Sequence, residues 1–281
     1  SYSDLHGQVT DASGFYAENA KVSVINPNGK VVWNGKTDEK GKFEATAIPG
    51  SKSFVHIDCG TNSTCAVTTD GRAFCWGNDR SGQLGNGAAT SADQYLPTEV
   101  RRDISLGEDA LFKAIAVNTM PDFASEGGAC AIFTREGSEG LSCWGSNSHY
   151  MLANNSEDKG AWEASPVAAD ATAFPHGQRF QALELGGNYG CLLTIEGDRF
   201  CWGQSLYGDF GNGERYVNYM SPTKLQGLDG EKPRRWRAIG SAWDNIGCGI
   251  SEPDRKILCW GFNKYYRIEG SLDLEIVLDP R

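Results

Sequence analysis

The chain has 281 residues, with 26 Lys plus Arg against 36 Asp plus Glu, a formal charge of −10. An acidic surface repels phosphate backbones and anionic bilayers, so nucleic acid and anionic membrane faces are not expected partners. With 35 Gly, 8 Trp, 10 Tyr and 12 Phe, the composition suits many short strands and tight turns and excludes a coiled coil, a disordered tail and a collagen-like rod. No apolar run approaches the ~18 residues of a membrane span, so no transmembrane segment is expected. The chain opens at Ser1 and stops at Arg281 with no initiator Met and no signal sequence, which reads as a processed or trimmed precursor.

Residues 1–53 contain no cysteine. Strand-like runs such as Ala20-Lys21-Val22-Ser23-Val24 alternate with turn signals. The most legible stretches are Gly7-Gln8-Val9-Thr10-Asp11, Thr37-Asp38-Glu39-Lys40-Gly41-Lys42-Phe43 and Ile48-Pro49-Gly50. Together these motifs resemble the carboxypeptidase-regulatory-like β-sandwich, which implies a small N-terminal β module over residues 1–53. Its last strand would fall at Ser53–Asp58, which also fits the first strand of the cysteine-containing region that begins there. The alternative is that Asn28-Gly29-Lys30-Val31-Val32-Trp33-Asn34-Gly35 is a decayed hairpin of that same region.

Eight of the nine cysteines form four close pairs: Cys65/Cys75, Cys130/Cys143, Cys191/Cys201 and Cys248/Cys259, separated by 10, 13, 10 and 11 residues. None has zinc-knuckle spacing. Each pair brackets a turn. Thr69-Asp70-Gly71 and Ile195-Glu196-Gly197 read as three-residue hairpin loops whose Gly takes positive φ. Glu252-Pro253-Asp254-Arg255 serves the fourth pair, and the second has a longer loop through Arg135–Gly140. Such turns set the paired cysteines opposite each other on adjacent strands, roughly 4.5–5.5 Å apart at Cα and within bridging range. Four disulfides are therefore expected, each contributing roughly 2–3 kcal/mol. They imply an oxidising compartment: secreted, periplasmic or cell-surface. Cys59 is left over, as a buried free thiol, a tether to another chain, or an exchange partner for Cys65.

The second cysteine of every pair opens a Cys-Trp-Gly, at 75, 143, 201 and 259, spaced by 68, 58 and 58 residues. A short apolar strand precedes each pair: Phe54–Ile57, Phe112–Val117, Phe180–Leu185 and Trp236–Ile239. Glycine turns come next, as in Ser81-Gly82-Gln83-Leu84-Gly85-Asn86-Gly87 and Tyr207-Gly208-Asp209-Phe210-Gly211-Asn212-Gly213. Repetition at this period decides the architecture before any local argument. The motif Cys65-Ala66-Val67-Thr68-Thr69-Asp70-Gly71-Arg72-Ala73-Phe74-Cys75-Trp76-Gly77, with its glycine turn, resembles the regulator-of-chromosome-condensation (RCC-type) repeat, in its disulfide-containing extracellular branch.

The resemblance implies an all-β chain of four-stranded propeller blades over residues 54–281, in units 54–111, 112–179, 180–235 and 236–281. Period-2 alternation puts Cys65, Val67, Ala73 and Cys75 on one face and Ala66, Thr68, Phe74 and Trp76 on the other. A lone blade cannot bury both faces, so each Trp is expected between blades. The second unit carries a degenerate turn, Ser148–Asn155. Only four repeats are clear, where the family often has seven. The ring is then small, gains a fifth blade from residues 1–53, is cut from a larger ring, or is completed by another chain. The alternating run Leu272–Asp279 needs a partner strand.

Catalytic signals are weak. Gly29 to Gly35-Lys36-Thr37 misses the phosphate-loop spacing by one residue, and no nucleophile elbow or zinc-protease pattern occurs. His6, His56, His149 and His176 are scattered, and the carboxylates single out no acid–base pair. No catalytic residue, metal or cofactor is assigned, and a non-enzymatic protein is expected. Asn62 and Asn154 head glycosylation sequons. Loop aromatics make anchors, which singles out Tyr207, Tyr216, Tyr219, Trp243, Tyr265 and Tyr266. The expected function is an extracellular protein-binding or self-assembling surface module whose partner is a protein or copies of itself. A carbohydrate-binding, lectin-like surface protein, with a glycan as ligand, is the alternative.

Overall fold

A computed structural model describes residues 2–8, 18, 20–25, 31–40, 42–49, 53–87, 93–118, 127–158, 160–166, 174, 177–226, 234–242, 246–261 and 275–276. Two compact units result, Ser1–Val55 and His56–Arg281. In the first, β1 (Tyr2–Gln8) pairs antiparallel with β4 (Lys42–Pro49), and β2 (Lys21–Ile25) with β3 (Val31–Lys36). The Asp38 carboxylate accepts the N–H groups of Lys40 and Lys42, closing the turn into β4.

The remaining strands form four four-stranded sheets. Sheet one is β5 (Phe54–Cys59), β6 (Ser63–Thr68), β7 (Ala73–Gly77) and β8 (Gln94–Glu99). Sheet two is β9 (Leu111–Val117), β10 (Gly128–Arg135), β11 (Ser138–Ser146) and β12 (Gly160–Pro166). Sheet three is β13 (Phe180–Leu185), β14 (Tyr189–Thr194), β15 (Arg199–Ser205) and β16 (Val217–Lys224). Sheet four is β17 (Arg235–Ala242), β18 (Ile246–Glu252), β19 (Ile257–Gly261) and the two-residue β20 (Glu275–Ile276). Strand β20 finds its partner in β19 and runs parallel to it, unlike the antiparallel closing strands of the other sheets.

Turn chemistry fixes the central hairpins. Thr68 and Arg72 pair around a three-residue loop in which Gly71 sits at φ 76°, and Thr194 and Asp198 repeat this around Gly197 at φ 87°. A side chain there would be strained, so Gly is required. The resulting registers place Cys65 opposite Cys75, Cys130 opposite Cys143, Cys191 opposite Cys201 and Cys248 opposite Cys259. Disulfides join all four pairs, each with Cα atoms 4.1 Å apart.

The core lies between sheets. Cys65, Val67, Ala73, Cys75 and Leu84 of sheet one pack against Phe112, Ile115, Val117 and Trp144 of sheet two. Ile132, Leu141 and Met151–Ala153 of sheet two meet Phe180, Leu183, Leu192 and Trp202 of sheet three. Leu193 of sheet three meets Trp236, Leu258 and Trp260 of sheet four. The disulfide face of each sheet therefore trails, and the tryptophan face leads. Polar side chains add ties between sheets: Asp58 of β5 accepts the Val117 N–H at 2.7 Å, Glu139 of β11 accepts the Phe180 N–H at 2.7 Å, and Gln181 of β13 donates to the Arg237 carbonyl at 2.5 Å.

One device recurs at all three interfaces. Trp144 Nε1 donates to Gln83 O at 3.1 Å, Trp202 Nε1 to Met151 O at 3.0 Å and Trp260 Nε1 to Asp209 O at 2.8 Å. Each acceptor lies eight residues after the second cysteine of the preceding sheet. Two residues further on, Gly85, Ala153 and Gly211 hold φ of 62°, 54° and 64°. The degenerate turn of unit two thus keeps the backbone of the others, with Ala153 in the left-handed region that Gly occupies elsewhere. A Cβ on Gly211 would lie 2.5 Å from the Trp260 ring.

Two expectations are corrected. Trp76 is only half-buried, whereas Trp144, Trp202 and Trp260 are buried, because only sheets two to four have a preceding sheet's turn to receive the indole. Cys59 is not a buried thiol but an exposed free one.

Candidate functional site: a tyrosine groove and a buried ionic cluster

The turn after β15 is built around Asp209. Its carboxylate accepts the Leu206 N–H at 2.8 Å, while its own N–H donates to Ser205 Oγ at 2.9 Å. This tight loop drives Phe210 into the core, against Tyr189. The exposed side of the loop is then assembled on Phe210. Tyr219, from β16, stacks on that ring at 4.9 Å and 5°. The Tyr219 hydroxyl donates to the Glu214 carboxylate, and Asn212 Nδ2 donates to the same carboxylate at 2.7 Å. Partial burial and the Glu214 carboxylate push the Tyr219 phenol up to about 12. Tyr219, Asn212, Glu214, Thr223, Lys224 and Gln226 line an open groove of about 500 Å³.

Of the aromatics singled out from sequence, Tyr219 lines this groove. Tyr216 stands 74 % exposed on a left-handed turn residue, φ 54°, in the same loop. Tyr207 is half-buried at the loop's start, and its N–H leans on Asp209. Trp243, Tyr265 and Tyr266 lie outside the described residues. Asn62 is exposed between β5 and β6; Asn154 is half-buried, its side-chain oxygen accepting the Ser156 N–H.

A second groove, of about 740 Å³, was not foreseen. It lies just beyond β8 and is lined by Glu99, Arg101, Arg102, Asp103, Ile104 and Glu108. Asp103 caps its turn by accepting the N–H groups of Ser105 and Leu106, and Arg102 donates to the carbonyls of Glu108 and Ala110. Its side chains come from a stretch with no repeat signature, so nothing in the sequence marks it.

The interface between sheets three and four holds an ionic cluster. Arg199 occupies the position two residues before the second cysteine, where the other units carry Ala73, Leu141 and Ile257. It is 5 % exposed and lies between the rings of Trp236 and Trp260, at 4.6 and 4.4 Å. Trp236 in turn replaces the Phe of Phe54, Phe112 and Phe180, so the cation and its second aromatic face arrive together. Cation–π attraction offsets part of the burial cost, yet Nε and Nη1 make no hydrogen bond. Burial pulls the guanidinium down to about 9. Burial also pushes Asp209 up to about 6, against the backbone N–H bonds that hold it ionised. Tyr189, fully buried, donates to the Ile246 carbonyl at 3.1 Å, and its phenol is raised by burial. Glu184 accepts the Ser241 N–H, but burial and nearby Asp58 lift it to about 7. Arg199 was legible in principle, as the one charged residue at a position otherwise apolar.

The Glu184 and Asp209 shifts have a pH consequence. A carboxylate whose folded pKa is raised binds more protons folded than unfolded, so stability falls as pH rises between the two values. For Glu184 that window runs from about 4.5 to about 7, and for Asp209 from 3.8 to about 6. The thermal midpoint is therefore expected to be higher at pH 5 than at pH 8. Glu184→Gln should flatten most of that slope; an unchanged slope in the variant would refute the assignment.

The sheets and their interlocking define propeller blades. The family described as the regulator of chromosome condensation (RCC1) repeat matches residues 54–83 and, in a second match, 70–109. The Arabidopsis thaliana ultraviolet-B receptor UVR8 is 26 % identical over 255 residues, covering 90 % of this chain and 51 % of that protein. Human WBSCR16 superposes with a TM-score of 0.61 at 16 % identity, over 90 % of this chain and 59 % of that one. Yeast Prp20, solved bound to Kap60, gives 0.59 at 16 % identity, over 89 % and 53 %. The four sheets are blades of an RCC1-type β-propeller. The chain spans about half the length of UVR8.

Proposed function

We propose that this chain is a non-enzymatic, protein-binding propeller module of an oxidising compartment, secreted or at a cell surface. The observation that carries the reading is the Tyr219–Glu214–Asn212 constellation in an open groove beside exposed Tyr216. A rigid aromatic backed by a second ring, with a carboxylate and an amide at its edge, offers apolar area and directed acceptors at low entropic cost. The strongly perturbed ionisable groups Arg199, Asp209, Tyr189 and Glu184 are accounted for by packing between blades. Four disulfides support the compartment.

The test places a photo-crosslinking amino acid at position 216 and, as control, at exposed Glu157 on blade two. In the native extracellular milieu, a discrete protein adduct is expected from position 216 alone, and it should vanish in a Tyr219→Ala, Glu214→Ala background. Equal adducts from both positions, or none, would overturn the groove as the binding surface. A tyrosine face edged by carboxylate and amide also suits a sugar. A glycan-array signal abolished by Tyr219→Ala would replace the protein reading.

A further inference from the structure

Among the side chains at the Tyr219 end of the groove, one polar atom is left over. Asn212 Oδ1 accepts the Glu214 N–H at 3.2 Å, while Asn212 Nδ2 donates to Glu214 Oε2 at 2.7 Å and to the Tyr219 hydroxyl at 3.4 Å. The Tyr219 hydroxyl donates to the same Oε2. Two donors thus converge on one oxygen of the carboxylate, and Glu214 Oε1 has no partner among the described residues. One face of the Tyr219 ring is stacked on Phe210 at 5°, which leaves the other face to the groove that the residue lines. Both features attract cations, because the ring face is the negative end of its quadrupole and Oε1 shares the carboxylate charge. Lys224, the cation among the lining residues, stands five residues further along β16, roughly 17 Å away. Its Nζ is turned to Asp198 Oδ2, at 2.8 Å.

We infer that the Tyr219 end of the groove receives an arginine side chain of a protein partner, its guanidinium plane on the Tyr219 ring and its edge N–H groups on Glu214 Oε1. The inference rests on the protein-binding reading of this groove and gives the partner its chemistry. A guanidinium is planar, so it stacks on a ring and still presents in-plane donors to a carboxylate at the rim of that ring; a compact ammonium does one or the other. The molecule contains the same arrangement once already. Arg72 lies 5.4 Å over the Phe74 ring while its Nε donates to Glu99 Oε1 at 2.6 Å and its Nη2 donates to Oε2. In the groove the ring and the carboxylate are both in place, and the guanidinium is the missing third part. An acidic partner would set like charges against Glu214, whereas a basic one complements a chain of formal charge −10.

The experiment selects random peptides displayed on phage against the full, disulfide-intact chain. Enriched peptides are then synthesised with each arginine kept, changed to lysine, or changed to uncharged citrulline, and their binding is measured by calorimetry. Enriched sequences are expected to share an arginine. Citrulline should weaken binding about tenfold and lysine about threefold. Glu214→Gln and Tyr219→Leu chains should each bind the arginine peptide about tenfold more weakly, and Glu157→Gln should bind it like wild type. Glu214 is exposed and Tyr219 half-buried, and thermal midpoints check that both variants stay folded. Peptides that need Tyr219 and Glu214 but carry no arginine, or that bind equally with lysine or citrulline, would overturn the inference and leave the groove as a protein-binding surface. Failure to enrich any peptide, or enrichment only of peptides indifferent to both substitutions, would overturn the groove reading and the inference with it.

Discussion

Trp202→Ala is expected to cost about 4–5 kcal/mol of folding stability, near the top of the range for deleting a buried aromatic. The indole is fully buried between blades two and three, closed in by Leu183, Leu192, Phe200 and Met151. Its removal leaves a cavity that strands pinned by a disulfide cannot collapse into. It also strands the buried Met151 carbonyl, which loses its partner at 3.0 Å. Trp202→Phe keeps much of the ring but not the donor, so about 1–2 kcal/mol separates it from wild type. The control is Trp76→Ala at the equivalent, half-buried position, where a loss of about 1 kcal/mol or less is expected. Denaturant titrations of the variants decide the matter. Equal losses at 76 and 202 would mean that blade stacking is not where the stability resides.

Reduction of the four disulfides should unfold the propeller at physiological temperature. Each bridge closes a loop of 10 to 13 residues, and the chain-entropy relation assigns such a loop roughly 2–3 kcal/mol. Four of them together approach the whole stability of an ordinary domain, about 5–15 kcal/mol. Near-ultraviolet circular dichroism should therefore collapse on thiol treatment, while one paired Cys191→Ser, Cys201→Ser variant stays folded with a lowered midpoint. A reduced protein that kept its midpoint within a few degrees would show that the cross-blade cores alone hold the fold. It would also remove the main support for an oxidising compartment.

These two contributions meet on the same strands. In blades one to three the second cysteine faces the blade after it in the chain, and in blades two to four the Trp one residue on faces the blade before it. Each central hairpin of blades two to four is thus locked covalently on its trailing side and by an indole hydrogen bond on its leading side. A propeller made of such hairpins offers stiff edges and short, well-held loops, which suits the Tyr219 groove. Its tyrosine is oriented by a ring stack and two polar neighbours, not by a flexible loop.

Much of this was written in short-range chemistry. Loop length and a positive-φ Gly at 71 and 197 set the hairpin register, and register alone put Cys65 across from Cys75 and Cys191 across from Cys201. The repeated Cys-Trp-Gly set the blade count in residues 54–281, because a two-faced sheet must stack to be buried. Even the substituted turn at Met151–Ala153 kept its backbone, as eight residues still separate its carbonyl from Cys143. What remained hidden depends on neighbours far apart in the chain. Identical Cys-Trp-Gly motifs give a buried Trp202 and a half-buried Trp76, because burial is decided by whether a preceding blade's turn receives the ring. Cys59 and Val117 occupy the same strand position, and only the adjoining blade makes one buried and the other exposed. Arg199 reads as a surface charge until Trp236 and Trp260 close over it from the next blade. Period and turn chemistry are local, so they survive in the sequence; desolvation and stacking belong to the interfaces between blades, and exist only once those blades are assembled.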